Sequence, residues 1–181
     1  FTELQSTVTD KAVGEFLIGT FAEVELDPGE TLTVSRVFSN GNSFTALGGT
    51  TLELVTTDTC RFYGDSTFDT LTATNAGKRL EFNPGDTIGI TEFITVQGNT
   101  TTNILLHSIT PGSQWLLDLD GSAVTTFRYL DVKDSDANPG AVATAVDSTN
   151  SGNNDNWSFI AAGQTNTWLG GTSTDWSTGS N

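Results

Sequence analysis

Positive charge is what this chain has least of: seven Lys and Arg stand against 22 Asp and Glu, a formal charge of −15 over 181 residues. A field of that sign repels nucleic-acid backbones and anionic membrane surfaces, so neither is expected as a partner. Cys60 is the one cysteine, which excludes an intramolecular disulfide and a cysteine zinc cluster and leaves it as a small core residue. His107 is the one histidine. It follows Ile104, Leu105 and Leu106 with no Gly-x-Ser-x-Gly elbow anywhere, so it reads as a satisfied strand residue and not as the centre of a nucleophilic relay. Methionine is absent and Lys and Glu are scarce, while Thr numbers 32 and Gly 19, a balance that favours strands and turns over helices. No window approaches the ~18 consecutive apolar residues of a membrane-spanning helix. There is no signal peptide, and Phe1 is not an initiator residue, so a processed product or a piece of something longer is expected.

What is present is repetition. LEFNPGDTIGITEFI, from Leu80 to Ile94, echoes VELDPGETLTVSRVF, from Val24 to Phe38. Both copies hold an apolar–Glu–apolar opening, Pro-Gly, an acid, Thr and an alternating apolar run. Pro28 and Pro84 preset φ for a turn, and Gly29 and Gly85 supply the positive φ that a type II turn needs next. The alternation that follows has the period of a half-buried strand. A second echo sets Thr67, Phe68 and Leu71 against Thr126, Phe127 and Leu130 at nearly the same offset along the chain, and the two echoes together predict one structural repeat.

In the first 23 residues Val13, Phe16, Leu17 and Phe21 fall near helical spacing, but Gly14 and Gly19 weaken a helix, so strands are preferred. Short apolar runs separated by Gly and Asn turns continue to Trp157 and Phe159. These predict one all-β domain over residues 1–162, a β-solenoid with coils of roughly 20 residues, with a β-sandwich as the alternative. Leu32, Val34, Phe68, Leu80, Phe82, Ile88, Ile90, Leu117 and Phe127 should point inward. Residues 163–181, rich in Thr, Ser and Gly with Trp168 and Trp176, read as a linker or tail.

Asp131, Asp134 and Asp136 with the Asn138 carbonyl, or Asp118 and Asp120, place hard oxygens at the spacing a Ca²⁺ ion needs, although neither set matches an EF-hand loop. Solvated turn acids are the simpler explanation. No cofactor is expected beyond that possible calcium. Arg61 near Asp58 and Asp65, and Arg128 near Asp131, read as ion pairs on a solvated face. Trp168 and Trp176 could stack on sugars or anchor the tail, and they are the candidate self-association residues.

GKRLEF, TFRYLDVKDSDANPGAVATAVD and SGNNDNWSF resemble the repeat of very large bacterial surface and secreted proteins predicted to form right-handed parallel β-helices, with the likeness running from about Asp65 to Phe159. In that family Phe-x-x-Leu, Leu-x-Phe, Gly-punctuated and Trp strands succeed one another as faces of the coils, closed by Asp-Ser-Asp and Gly-Asn-Asn-x-x-Trp segments. Here these are Phe68/Leu71, Leu80/Phe82, Phe93 to Gly98, Trp115, Asp134 to Asp136 and Gly152 to Trp157. The tail TWLGGTSTDWSTGSN is similar to the Trp-x-Gly…Asp-Trp…Asn opening of autotransporter-type modules. The resemblance implies a right-handed parallel β-helix at the bacterial cell surface or outside the cell. With no catalytic constellation beside it, the expected function is a non-enzymatic structural or adhesive module that associates end to end, with surface glycans as a possible partner. The alternatives are a carbohydrate-active enzyme, a polysaccharide lyase or hydrolase, and a sugar-binding module on the same scaffold.

Overall fold

In the computed structural model, which describes residues 4–5, 11–18, 24–26, 28–41 and 44–162, the chain is a parallel β-solenoid of about six turns. The described residues contain no helix. Among the described residues every ladder between strands is parallel, and the one antiparallel bridge, Asn99 to Thr102, lies in a turn. Parallel pairing throughout removes the sandwich alternative.

Each coil has three faces. Segments 37–39, 60–63, 79–82, 104–108, 130–133 and 149–150 stack as the first. Segments 44–46, 66–68, 88–90, 116–119, 135–136 and 154–155 form the second. The third comprises 31–34, 51–54, 70–73, 93–97, 124–128, 143–146 and 157–160. Lys11–Ile18, in the stretch with ambiguous spacing, is a strand laid on Thr31–Asn40. The coils are unequal in length. On the third face the step between register partners is shortest from Ala145 to Phe159 and longest from Ile94 to Thr125, values that bracket the expected coil.

Period-two alternation decides what fills the tube. All nine residues expected to point inward are buried, at 4% exposure or less. Phe16, Phe38, Phe62 and Phe82 stand in register on the first face with ring centroids 5.4, 5.8 and 5.0 Å apart. The next position in that column is Ser108, and Trp115 from the second face takes the vacated volume, stacked on Phe82 at 3.9 Å. Such pairs add about 0.5–1.5 kcal/mol each beyond the area they bury.

The Pro-Gly turns form as expected, with Gly29 and Gly85 at φ +81° and +79°. The repeat they suggested does not. The strand after Pro28-Gly29 lies on the third face, whereas the strand after Pro84-Gly85 begins on the second. Phe68 likewise sits on the second face and Phe127 on the third. The offset between the copies is therefore not a whole number of coils. The echoed motif specifies strand, tight turn and strand, and any corner of the coil can use that unit.

Candidate functional site

The outward side of the first face carries a ladder of charge. Coil stacking puts Arg61, Glu81, His107 and Lys133 in one column and Arg79, Leu105 and Asp131 in the next. Glu81 accepts from Arg61 Nε at 2.8 Å and from Arg79 Nε at 2.6 Å. Burial pushes the Glu81 carboxyl up, but the hydrogen bonds and charges of the two guanidiniums outweigh it and hold the group below its ordinary range. The Arg79 guanidinium lies 3.5 Å from His107 Nδ1, and His107 Nε2 lies 3.4 Å from Asp131 Oδ1, a contact without hydrogen-bond geometry that leaves both atoms buried. Arg61 therefore pairs with Glu81, one coil on, and not with Asp58 or Asp65. Arg128 pairs with Asp147, at 2.9 Å, and not with Asp131. Arg61 and Arg128 find their partners on the next coil because a strand's outward side chains face those about 4.8 Å away on the next rung, while Arg79 meets Glu81 along its own strand.

This ladder is the arrangement that reading the chain locally missed. The sign that could have found it is the spacing of charges at about one coil length, Arg61 to Glu81 and Arg79 to His107. Two acids beside Arg, His and Lys are chemically suggestive, but they lie along the outward side of a sheet, and Glu81 is already neutralised by two guanidiniums.

The structure does not gather the proposed calcium ligands. Asp131 faces His107. Asp134, buried at a corner with φ +56°, accepts from Gly112 N–H and from Asn153 Nδ2. Asp136 accepts from the N–H and side-chain amide of Asn138. Asp120 is occupied in the same way by Ser122, whose hydrogen bonds hold its carboxyl below the ordinary range. Among the described residues no group of three acidic, histidine or cysteine side chains is placed to hold a metal ion.

Asp134 shares a different task with three other acids. Asp69 accepts from Gly49 N–H, Asp86 from Gly64 N–H, Asp134 from Gly112 N–H and Asp147 from Ala162 N–H, each at a corner and each across coils. Gly64 is fixed there by geometry, since it has φ +86° and a Cβ would collide with the Asn40 carbonyl. These four acids thus satisfy turn N–H groups that the strand ladders leave over.

Two buried polar groups complete the interior. Lys78 has no exposed surface, and its ammonium donates to the carbonyls of Ser35, Val55, Thr56 and Asp58 at 2.7–3.4 Å, tying three coils together. Burial pushes its pKa down from the ordinary lysine value. Cys60, beside it, has its thiol pushed up to about 11 by burial, which makes it an inert core residue. Trp168 and Trp176 lie outside the described residues.

Compared with family models, curated proteins and solved structures, the chain matches none.

Proposed function

We propose that this chain is a non-enzymatic structural or adhesive module of the bacterial cell exterior whose copies associate end to end. The observation that supports the reading is the last described coil. Thr149–Asn150, Asn154–Asp155 and Trp157–Ile160 each have one hydrogen-bonded strand neighbour among the described residues, so among these residues each face ends in a strand with one unpaired edge. A parallel solenoid continues without distortion if the next chain supplies a rung about 4.8 Å further along the axis. Head-to-tail contact of that kind does not close, and so propagates as a fibre. The tail from residue 163 to 181, with Trp168 and Trp176, is the segment proposed to anchor the junction.

Two further features agree with a structural role. The corner acids are consumed by backbone donors, and in the first-face ladder Glu81 is taken up by Arg61 and Arg79. Deleting residues 163–181 should leave the circular dichroism spectrum of the solenoid unchanged and abolish concentration-dependent light scattering. A full-length protein that stays monomeric at high concentration, or that turns over a neutral or acidic polysaccharide, would overturn the reading.

A further inference from the structure

The third face differs from the other two in what it presents to solvent. Thr72, Thr95 and Thr126 stand in register on consecutive coils. One residue before the Phe127–Ala145 pair, Thr144 continues the column, and Ser158 follows. Beside it runs an apolar column: Phe93 pairs with Val124, and Val142, two residues before Thr144, lies next in line. Their exposures are 50%, 57% and 55%, whereas most other large apolar side chains among the described residues are buried. On these coils segments 93–97, 124–128 and 143–146 carry one charged group, Arg128, whose guanidinium is held by Asp147 and lies 4.7 Å from the Tyr129 ring centre. At the far end the hydroxyl column opens into a groove of about 300 Å³ lined by Thr126, Arg128, Thr144, Val146 and Ala162.

We infer that this face is a binding strip for a neutral polysaccharide lying along the solenoid axis, with the groove at Arg128 taking a terminal or branching sugar. Sugar rings have an apolar C–H face and a rim of hydroxyls. The strip offers the complement: the half-exposed Phe93 ring and the two valines for the ring face, and a line of threonine hydroxyls, each both donor and acceptor, for the rim. Exposed apolar side chains aligned on successive rungs, and not scattered singly, mark a contact surface. Parallel coils also space these groups about 4.8 Å apart on a rigid sheet, so little ordering is lost on binding.

Two alternatives fit less well. An acidic polysaccharide would approach a molecule of charge −15 at a face whose one cation is already paired. A second copy of the chain would bury too little: three coil steps by a strand of about five residues cover roughly 250 Å² per partner, against the roughly 800 Å² of a stable interface.

The test uses the full chain and titration calorimetry with xylohexaose, cellohexaose and mannohexaose as neutral probes and hexagalacturonate as the acidic one. A neutral oligosaccharide is expected to bind. Phe93→Ala, at an exposed site where the melting temperature should hold, should weaken binding by about tenfold. Thr126→Val, which keeps the shape and removes the hydroxyl, should weaken it by about three- to tenfold. Arg61→Ala on the first face should change nothing. Failure of all three neutral probes overturns the inference, as does preferential binding of hexagalacturonate that Arg61→Ala removes. A dimer in sedimentation equilibrium that Phe93→Ala dissolves would assign the face to a second copy instead. End-to-end assembly is read separately by light scattering, and the Phe93 and Thr126 variants should leave it intact.

Discussion

The coils between residues 31 and 119 and the coils after residue 130 share a backbone path, yet they are held by different chemistry. The earlier coils are filled by Phe38, Phe62, Phe68, Phe82 and Trp115, packed in a contiguous aromatic column, with Lys78 plugging one corner. In the later coils the buried apolar side chains are Leu130, Val132, Ala137, Ala143 and Ala145, with no fully buried aromatic among them, while Trp157 and Phe159 only partly cover the end. The adhesion between coils passes there to side-chain amides. Asn154 donates to the Val132 carbonyl, Asn156 to those of Ala137 and Gly140, and Asn153 to Asp134. Non-glycine residues at positive φ, Asp134, Asp147, Asn153 and Asn156, mark the same corners. With less apolar volume to bury, the tube satisfies its backbone groups one by one instead.

The sharpest way to break this contrast is in the aromatic half. Phe62→Ala should lower stability by about 3–5 kcal/mol, and Lys78→Met, which strands four carbonyls, should lose a comparable amount. Both should appear as a large drop in the melting temperature, and a loss under about 1 kcal/mol for Phe62→Ala would show that the column is not the main support. In the polar half, Asn156→Ala or Asp134→Ala should each lose about 1–3 kcal/mol. Hydrogen exchange should then rise in 143–160 with 60–97 protected as before; uniform exchange across the chain would erase the distinction between the halves.

Acid should act on both halves. Asp147 is held below the ordinary carboxylate range first by the Ala162 N–H and then by Arg128, and Glu81 is held low by its two arginines. A carboxyl with a depressed folded pKa contributes stability at pH above its unfolded value, and loses it as pH falls through the folded value. Denaturant midpoints should therefore be flat near neutrality and decline below about pH 4. Glu81→Gln should flatten that decline; an unchanged acid limb would remove the ladder's contribution.

The smallest effects should be at Cys60 and at the Asp131, Asp134 and Asp136 carboxylates. Cys60, with its thiol pushed up to about 11, should not react with a thiol reagent at pH 8 until denaturant is added. Chelation by EDTA should leave the melt unchanged, because the carboxylates of Asp131, Asp134 and Asp136 point to separate partners. A melt lowered by EDTA would restore a calcium site.

The sequence by itself determined which residues line the tube and where its tight turns fall. Alternation along a strand and Pro-Gly at a corner act within a few positions, so Leu32, Phe68 and Ile90 could be read as core, and Gly29 and Gly85 as turns, before any coil was drawn. Tertiary structure alone decided which outward residues meet. That depends on the length of every coil in between, which on one face more than doubles between the Ala145–Phe159 step and the Ile94–Thr125 step. An inserted loop moves every later strand on by its own length, so the Pro-Gly echoes fall on different faces. By the same rule Arg61 meets Glu81, Arg128 meets Asp147 and Thr95 meets Thr126. The core is a property of each strand, whereas the charged ladder and the threonine strip exist only between strands.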